Sequence, residues 1–180
     1  MYTIEIDDGG ICAALERLIA AGADPRRPLR EMGEFLAETT KRRFETSTGP
    51  LGERWAPNQP STMTRYLDRY KGTRAKRGGL TKRGAARAAG KKPLIGETRS
   101  LSTTIAYQLV GADTLLVGSP MQYAAVQQFG AKRGAFGRTR RGAPIPWGDI
   151  PARPYLGISP EDEGAILAIF GGHLRAAVGG

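Results

Sequence analysis

Gly118-Ser119-Pro120-Met121-Gln122-Tyr123-Ala124-Ala125-Val126-Gln127-Gln128-Phe129-Gly130, followed after a basic loop by Ile150-Pro151-Ala152-Arg153-Pro154-Tyr155-Leu156-Gly157-Ile158, decides how the chain is read. The Gly-Ser pair ends a strand, Pro120 opens a short helix from Tyr123 to Phe129, and Gly130 closes it. Upstream, Ile105, Tyr107 and Leu109 alternate, Gly111-Ala112-Asp113 supplies a turn, and Leu115-Leu116-Val117 returns. Period two on both sides of a turn predicts a β-hairpin. Downstream, prolines flank Arg153 and hold it on a stiff, extended segment, so its guanidinium is aimed with little entropy loss. A carboxylate of the same fold and one on a neighbouring subunit are equal candidates for its partner. Tyr123 and Phe129, six apart on a short helix, project to different sides. One faces the hairpin and the other is available to a neighbour.

Before the hairpin, Tyr2, Ile4 and Ile6 alternate as a short strand, and Asp7-Asp8 offers cap chemistry to a helix with Ile11, Leu15, Leu18 and Ile19 on one face. Gly22 and Pro25 stop it. A second helix runs from about Pro28 to Glu45, with Leu29, Met32, Leu36 and Phe44 inward. Ser61 or Thr62 caps a short third helix through Met63, Tyr66 and Leu67, and Glu97 to Ser102 reads as a helical turn. The last helix, Pro160 to Val178, starts with Ser159 as cap, Pro160 in first position and Asp162 three beyond the cap, and carries Ile166, Ile169, Phe170, Leu174 and Ala177 as its stripe. Together these predict one α+β domain over residues 1–180. A small antiparallel or mixed sheet containing the hairpin packs against an N-terminal helix pair and a C-terminal helix, and two long basic loops project from the body.

Those loops hold much of the net charge of +10. Residues 69–93 carry ten Lys/Arg without one acid, spaced by glycines. Too few apolar side chains are present there to offset ordering entropy, which predicts a flexible loop. Residues 131–149 form the second basic loop. The cations expected to make contacts are Arg74, Lys76, Arg77, Lys82, Arg83 and Arg87 in the first, and Lys132, Arg133, Arg138, Arg140 and Arg141 in the second. Their partner is negative: phosphates, or acidic faces of neighbouring proteins. Tyr70 is the only aromatic among the cations of the first loop, so base stacking has little support, and no arrangement for reading base sequence is evident.

Covalent chemistry finds no foothold. One histidine, His173, and one cysteine, Cys12, both on helical patterns, rule out a zinc cluster and a Cys-His pair as expectations. Asp7-Asp8 and Glu161-Asp162-Glu163 sit at helix starts, where capping explains them, and the glycines match no nucleotide-binding spacing. No catalytic residue, cofactor site or metal site is therefore expected. The N-terminus lacks a basic flank and long apolar run, and no stretch reaches the roughly 18 apolar residues of a membrane span, so no membrane partner is expected. Trp55, a large ring in a polar loop, serves equally as a cap on its own core or as an anchor on a neighbour. Trp147, beside no core element, reads as an interface residue.

The order of strand-Gly-Ser, Tyr-Ala helix, Phe-Gly and Pro-Ala-Arg-Pro-aromatic turn resembles the phage virion-morphogenesis, or tail-completion, family. The likeness extends to Phe44, the Gly52-to-Pro57 turn with Trp55, and the Leu94-to-Ile105 segment. Family members often carry His at Gln127 and a Thr/Ser-Gly pair at Thr98-Arg99. The resemblance implies a structural virion protein: a ring-forming tail completion or terminator protein, or a head–tail connector (neck) subunit. It further implies a closed ring, hexameric by preference, at the tail–head junction after assembly in the host cytoplasm. Its partners would be the tail tube, connector proteins and passing genomic DNA, touched without sequence specificity. Tyr123, Gln128, Phe129, Arg153 and Tyr155 take structural or interface roles by the same implication. The alternative is a free, nonspecific nucleic-acid-binding protein using its basic loops; a hydrolase ranks well below both.

Overall fold

A computed structural model describes residues 9–179. They form seven helices and one antiparallel hairpin, an α+β arrangement: α1 (Gly9–Ala23), α2 (Arg26–Thr46), α3 (Pro60–Asp68), α4 (Lys82–Ala89), α5 (Ser100–Thr103), β1 (Ala106–Val110), β2 (Thr114–Gly118), α6 (Ala124–Phe129) and α7 (Pro160–Gly179). The Tyr2-to-Ile6 strand and the Asp7-Asp8 cap lie outside the described residues. The described chain divides into two units. One holds α1, α2 as far as Thr39, the hairpin and α7; the other holds Thr40–Ile105 and Ser119–Gly157.

In the first unit α1 packs on α7. The start of α7 is fixed by a reciprocal box: the Ser159 N–H donates to Asp162 Oδ2 at 2.8 Å and the Asp162 N–H to Ser159 Oγ at 3.1 Å. Such a cap stabilises a helix by about 1 kcal/mol. At the other end Arg17 donates to the carbonyls of Ala177 and Val178 at 3.0 and 3.4 Å, satisfying acceptors that a helix terminus leaves open. The Ile166, Ile169, Phe170, Leu174 and Ala177 stripe is partly buried. Leu15 and Ile19, expected inward, are 52% and 71% exposed, because the apolar arc of α1 is wider than the face it buries. His173 Nε2 and Glu31 Oε2 stand 2.7 Å apart.

The hairpin pairs Tyr107 with Val117 and Leu109 with Leu115. These side chains share the half-buried face, while Val110 and Leu116 point outward at 46% and 54% exposure. Gly33 of α2 sets how closely helix and hairpin approach. A Cβ there would lie 2.5 Å from the Tyr107 ring and 2.9 Å from Leu115, so only glycine permits the contact. The Tyr107 hydroxyl then donates to Glu34 Oε1 at 3.2 Å.

The core of the second unit is an aromatic cluster. Phe44, on the last turns of α2, has its ring centroid 5.3 Å from those of both Trp55 and Tyr155. Leu67, Leu101, Ile105 and Ala124 complete it. Helix α3 begins after Gln59, with Pro60 in its first turn, rather than at a Ser61 or Thr62 cap; proline's preset φ suits that position. Arg99, at the entry to α5, has φ +53°, the left-handed region that favours glycine. The Thr98-Arg99 departure noted in the sequence thus falls on a backbone shape that glycine adopts freely.

The segment 69–93, expected as a flexible loop, instead contains α4. Thr81 caps it by accepting the Gly84 N–H at 3.0 Å. Thr73, 2% exposed, shares its hydroxyl between the carbonyls of Leu67 and Tyr70, 2.9 Å from each. Gly84 fits against it so closely that a Cβ would meet the Thr73 carbonyl oxygen at 2.0 Å. Arg87 lies 3.6 Å over the Tyr70 ring. Counting apolar side chains missed this organisation, because it is held by hydroxyl–carbonyl bonds and a cation on an aromatic face. The second basic loop is closed by antiparallel bridges at Ala131–Ile150 and Arg138–Pro144.

Candidate assembly surfaces

The Pro-Ala-Arg-Pro-Tyr segment runs extended through the second unit and is held along its length. Gln128, on α6, accepts the N–H groups of Tyr155 and Leu156 on Oε1 at 2.9 and 3.0 Å, and returns an Nε2 hydrogen bond to the Leu156 carbonyl at 2.9 Å. The Arg153 N–H donates to the Gln127 carbonyl at 2.8 Å. Trp55 Nε1 donates to the Pro154 carbonyl at 2.7 Å. Arg43 Nη1 reaches the carbonyls of Tyr155 and Gly157 at 2.9 and 2.8 Å. An extended segment between prolines has no ladder partner of its own, and these side chains supply what a neighbouring strand would.

Arg153 is 6% exposed, and its partners are carbonyls of its own chain: Nε to Ala56 at 2.8 Å and Nη2 to Pro57 at 2.9 Å. A carboxylate was expected, on this subunit or the next. Burial pushes the guanidinium pKa below the ordinary arginine value. Tyr155, 1% exposed, donates its hydroxyl to the Ala124 carbonyl at 3.3 Å, and burial pushes its phenol above the ordinary value, with Tyr123 adding to the shift. Trp55 is 6% exposed. Of the seven interface candidates, Trp55, Arg153 and Tyr155 are thus core residues of the second unit. Gln128, half-buried, ties α6 to them.

Tyr123, Phe129 and Trp147 remain at the surface, at 44%, 78% and 63% exposure. Tyr123 and Trp147 share the lining of a groove of about 810 Å³ with Leu94, Ile95, Leu101 and Arg65. The Arg65 guanidinium lies 5.3 Å from the Trp147 ring centre. Phe136 and Leu51, at 56% and 79%, are further exposed apolar side chains that the sequence reading did not single out. Their signal was available: each is a large apolar residue next to a glycine in a loop.

The cations separate into paired and unpaired. Arg74 bonds Asp68 at 2.7 Å, Lys132 stands 4.0 Å from Asp149, Arg138 Nη1 donates to the Gly142 carbonyl at 3.1 Å, and Arg87 covers Tyr70. Arg133 is anchored by its backbone N–H on Asp149 at 2.7 Å. Lys76, Arg77, Lys82, Arg83, Arg140 and Arg141 are exposed and have no acidic partner among the described residues.

The second unit thus presents exposed aromatics and cations without an acidic partner among the described residues, around an interior that holds one extended segment. The chain belongs to the phage virion morphogenesis family, whose model matches residues 6–175. A relative, the Mu-like prophage FluMu G protein 2 of Haemophilus influenzae, is 29% identical over 168 residues, covering 93% of this chain and 91% of its own. No solved structure matches. Among the described residues, no helix is long and apolar enough to cross a membrane.

Proposed function

We propose that this protein is a structural subunit of a tailed phage that closes into a ring, hexameric by preference, at the tail–head junction. There it completes or terminates the tail or joins it to the head, and it acts by shape and self-association, without turnover. The family match carries the phage assembly role. Ring formation is supported by apolar surface that a soluble monomer gains nothing by exposing: Phe129 and Trp147 in one unit, Leu15 and Ile19 in the other. The hairpin adds two outer edges with no strand partner among the described residues, the kind of surface that head-to-tail contacts cover in closed rings. The basic segments meet the tail tube, the connector or the passing genome.

An amber mutation in the phage gene, plated on a nonsuppressing host, tests the role: filled heads and loose tails accumulate apart. Native mass spectrometry of the purified protein tests the ring and gives one discrete oligomer. Complete particles from the mutant, or a monomer at every concentration, overturn the corresponding half of the reading.

A further inference from the structure

Three loops of the second unit share one backbone design. In each, an antiparallel bridge closes residues six apart: Thr48–Arg54, Arg74–Leu80 and Arg138–Pro144. Inside each bridge the same two hydrogen bonds recur. Gly49 N–H to Glu53 C=O, Ala75 to Gly79 and Thr139 to Ala143 are all 2.8 Å. Gly52 N–H to Gly49 C=O, Gly78 to Ala75 and Gly142 to Thr139 are 3.1, 2.9 and 2.8 Å. Each turn ends on a glycine with positive φ: +80° at Gly52, +88° at Gly78 and +79° at Gly142. This is a four-residue turn closed by a glycine bulge; in the second and third it leaves both central side chains exposed, whereas in the first Pro50 is half-buried against Gly157.

The central pairs differ. The first tip holds Pro50-Leu51; the other two hold Lys76-Arg77 and Arg140-Arg141. Bridge closure explains the glycines but not the cation pairs, since the first turn closes without them. From this contrast we infer that the Lys76-Arg77 and Arg140-Arg141 tips are matched grips for the sugar-phosphate backbone of double-stranded DNA, read without regard to base sequence. All four side chains are exposed and lack an acidic partner among the described residues. Neither cationic turn, Ala75–Gly78 or Thr139–Gly142, contains an aromatic or large aliphatic side chain. Protein–protein contacts draw their energy from apolar anchors surrounded by polar rim. Phosphate contacts need only charge and reach, and glycines beside the cations keep backbone out of the way. A tip made of two cations and small residues fits the phosphates. The inference takes from the assembly reading only the source of the DNA; binding itself needs no ring.

The test measures binding of the full-length protein to a 30-bp duplex of arbitrary sequence by fluorescence anisotropy across a salt series, roughly 50 to 200 mM, the range over which such contacts weaken most visibly. Lys76→Gln/Arg77→Gln and Arg140→Gln/Arg141→Gln each lower the slope of log K against log salt by about 2, and together by about 4, as loss of two phosphate contacts per tip requires. Leu51→Gln, on the first tip, leaves slope and affinity unchanged. Arg27→Gln/Arg30→Gln removes the same charge from exposed positions of α2 and changes the slope by less than 1, roughly the contribution of a single phosphate. Thermal melts confirm that each variant is folded. A control pair as harmful as a tip pair overturns the inference by reducing it to net charge. So does absence of duplex binding at 50 mM salt (on the order of the lowest point of the series), or tip variants that lose poly-glutamate while keeping DNA. Ring formation, followed separately by native mass spectrometry, stays intact in both tip variants.

Discussion

Gln128 and Leu156 exchange hydrogen bonds as two paired strands would: the side-chain Oε1 accepts the Leu156 N–H at 3.0 Å and Nε2 donates to its carbonyl at 2.9 Å. The amide group of a glutamine has the donor and acceptor of a peptide bond at the same spacing, so one side chain on α6 substitutes for an absent strand. Replacing Gln128 by Leu strands the N–H groups of Tyr155 and Leu156 and the carbonyl of Leu156. The expected cost is about 2–4 kcal/mol, read as a lowered denaturation midpoint at unchanged m-value. Gln128→Glu retains the acceptors but sets a carboxylate oxygen against the Leu156 carbonyl, and is expected to be no better than Leu at neutral pH.

Trp55 tests whether this ring belongs to the core or to a subunit contact. Trp55→Phe keeps an aromatic ring near Phe44 and removes the Nε1 donor to the Pro154 carbonyl. Stability falls by about 1–2 kcal/mol. The oligomer measured by native mass spectrometry stays the same; a variant that melts like wild type but dissociates would place Trp55 at the interface after all.

Gly130, with φ +74°, has the backbone of the following segment against its α-carbon: a Cβ would meet the Ile150 carbonyl oxygen at 2.7 Å and the Ala152 nitrogen at 2.8 Å. Both neighbours are main chain and neither can rotate away. Gly130→Ala therefore costs about 3 kcal/mol or more, from left-handed strain added to displacement of the Ile150–Ala152 backbone. Gly137→Ala, at φ +86° with nothing within 4 Å, carries the strain alone and costs about 1–2 kcal/mol. The difference between the two melts isolates the close approach.

Burial raises the Tyr155 phenol above the ordinary tyrosine value of 10.0. The neutral form is the one the fold accommodates, so its contribution is complete below the unfolded-state pKa and is lost as pH climbs through the folded one. Ionisation followed by absorbance near 295 nm should show Tyr155 titrating above the ordinary tyrosine value, as the second unit unfolds. Tyr155→Phe, which gives up the bond to the Ala124 carbonyl, removes that alkaline step. A Tyr155 signal at the ordinary tyrosine value while the protein stays folded contradicts the assignment.

Much of this protein is legible along the chain. The Ser159–Asp162 box, the hairpin register around Gly111 and the stripe on α7 each depend on residues within a few positions of one another, so their patterns survive in one dimension. Charge, too, is additive and is counted without knowing the fold.

What escaped is long-range. Trp55 and Pro154 are 99 positions apart, and Arg153 and Ala56 are 97 apart. Whether a tryptophan in a polar loop turns inward depends on a carbonyl that only tertiary structure brings to it. The same holds for 69–93, whose order comes from Thr73 meeting the Leu67 and Tyr70 carbonyls and Arg87 meeting the Tyr70 ring. Local sequence set which elements form and how much positive charge they carry. The three-dimensional fold chose which aromatics face solvent and which cations stay unpaired, because a buried polar group must find its partner wherever in the chain it lies.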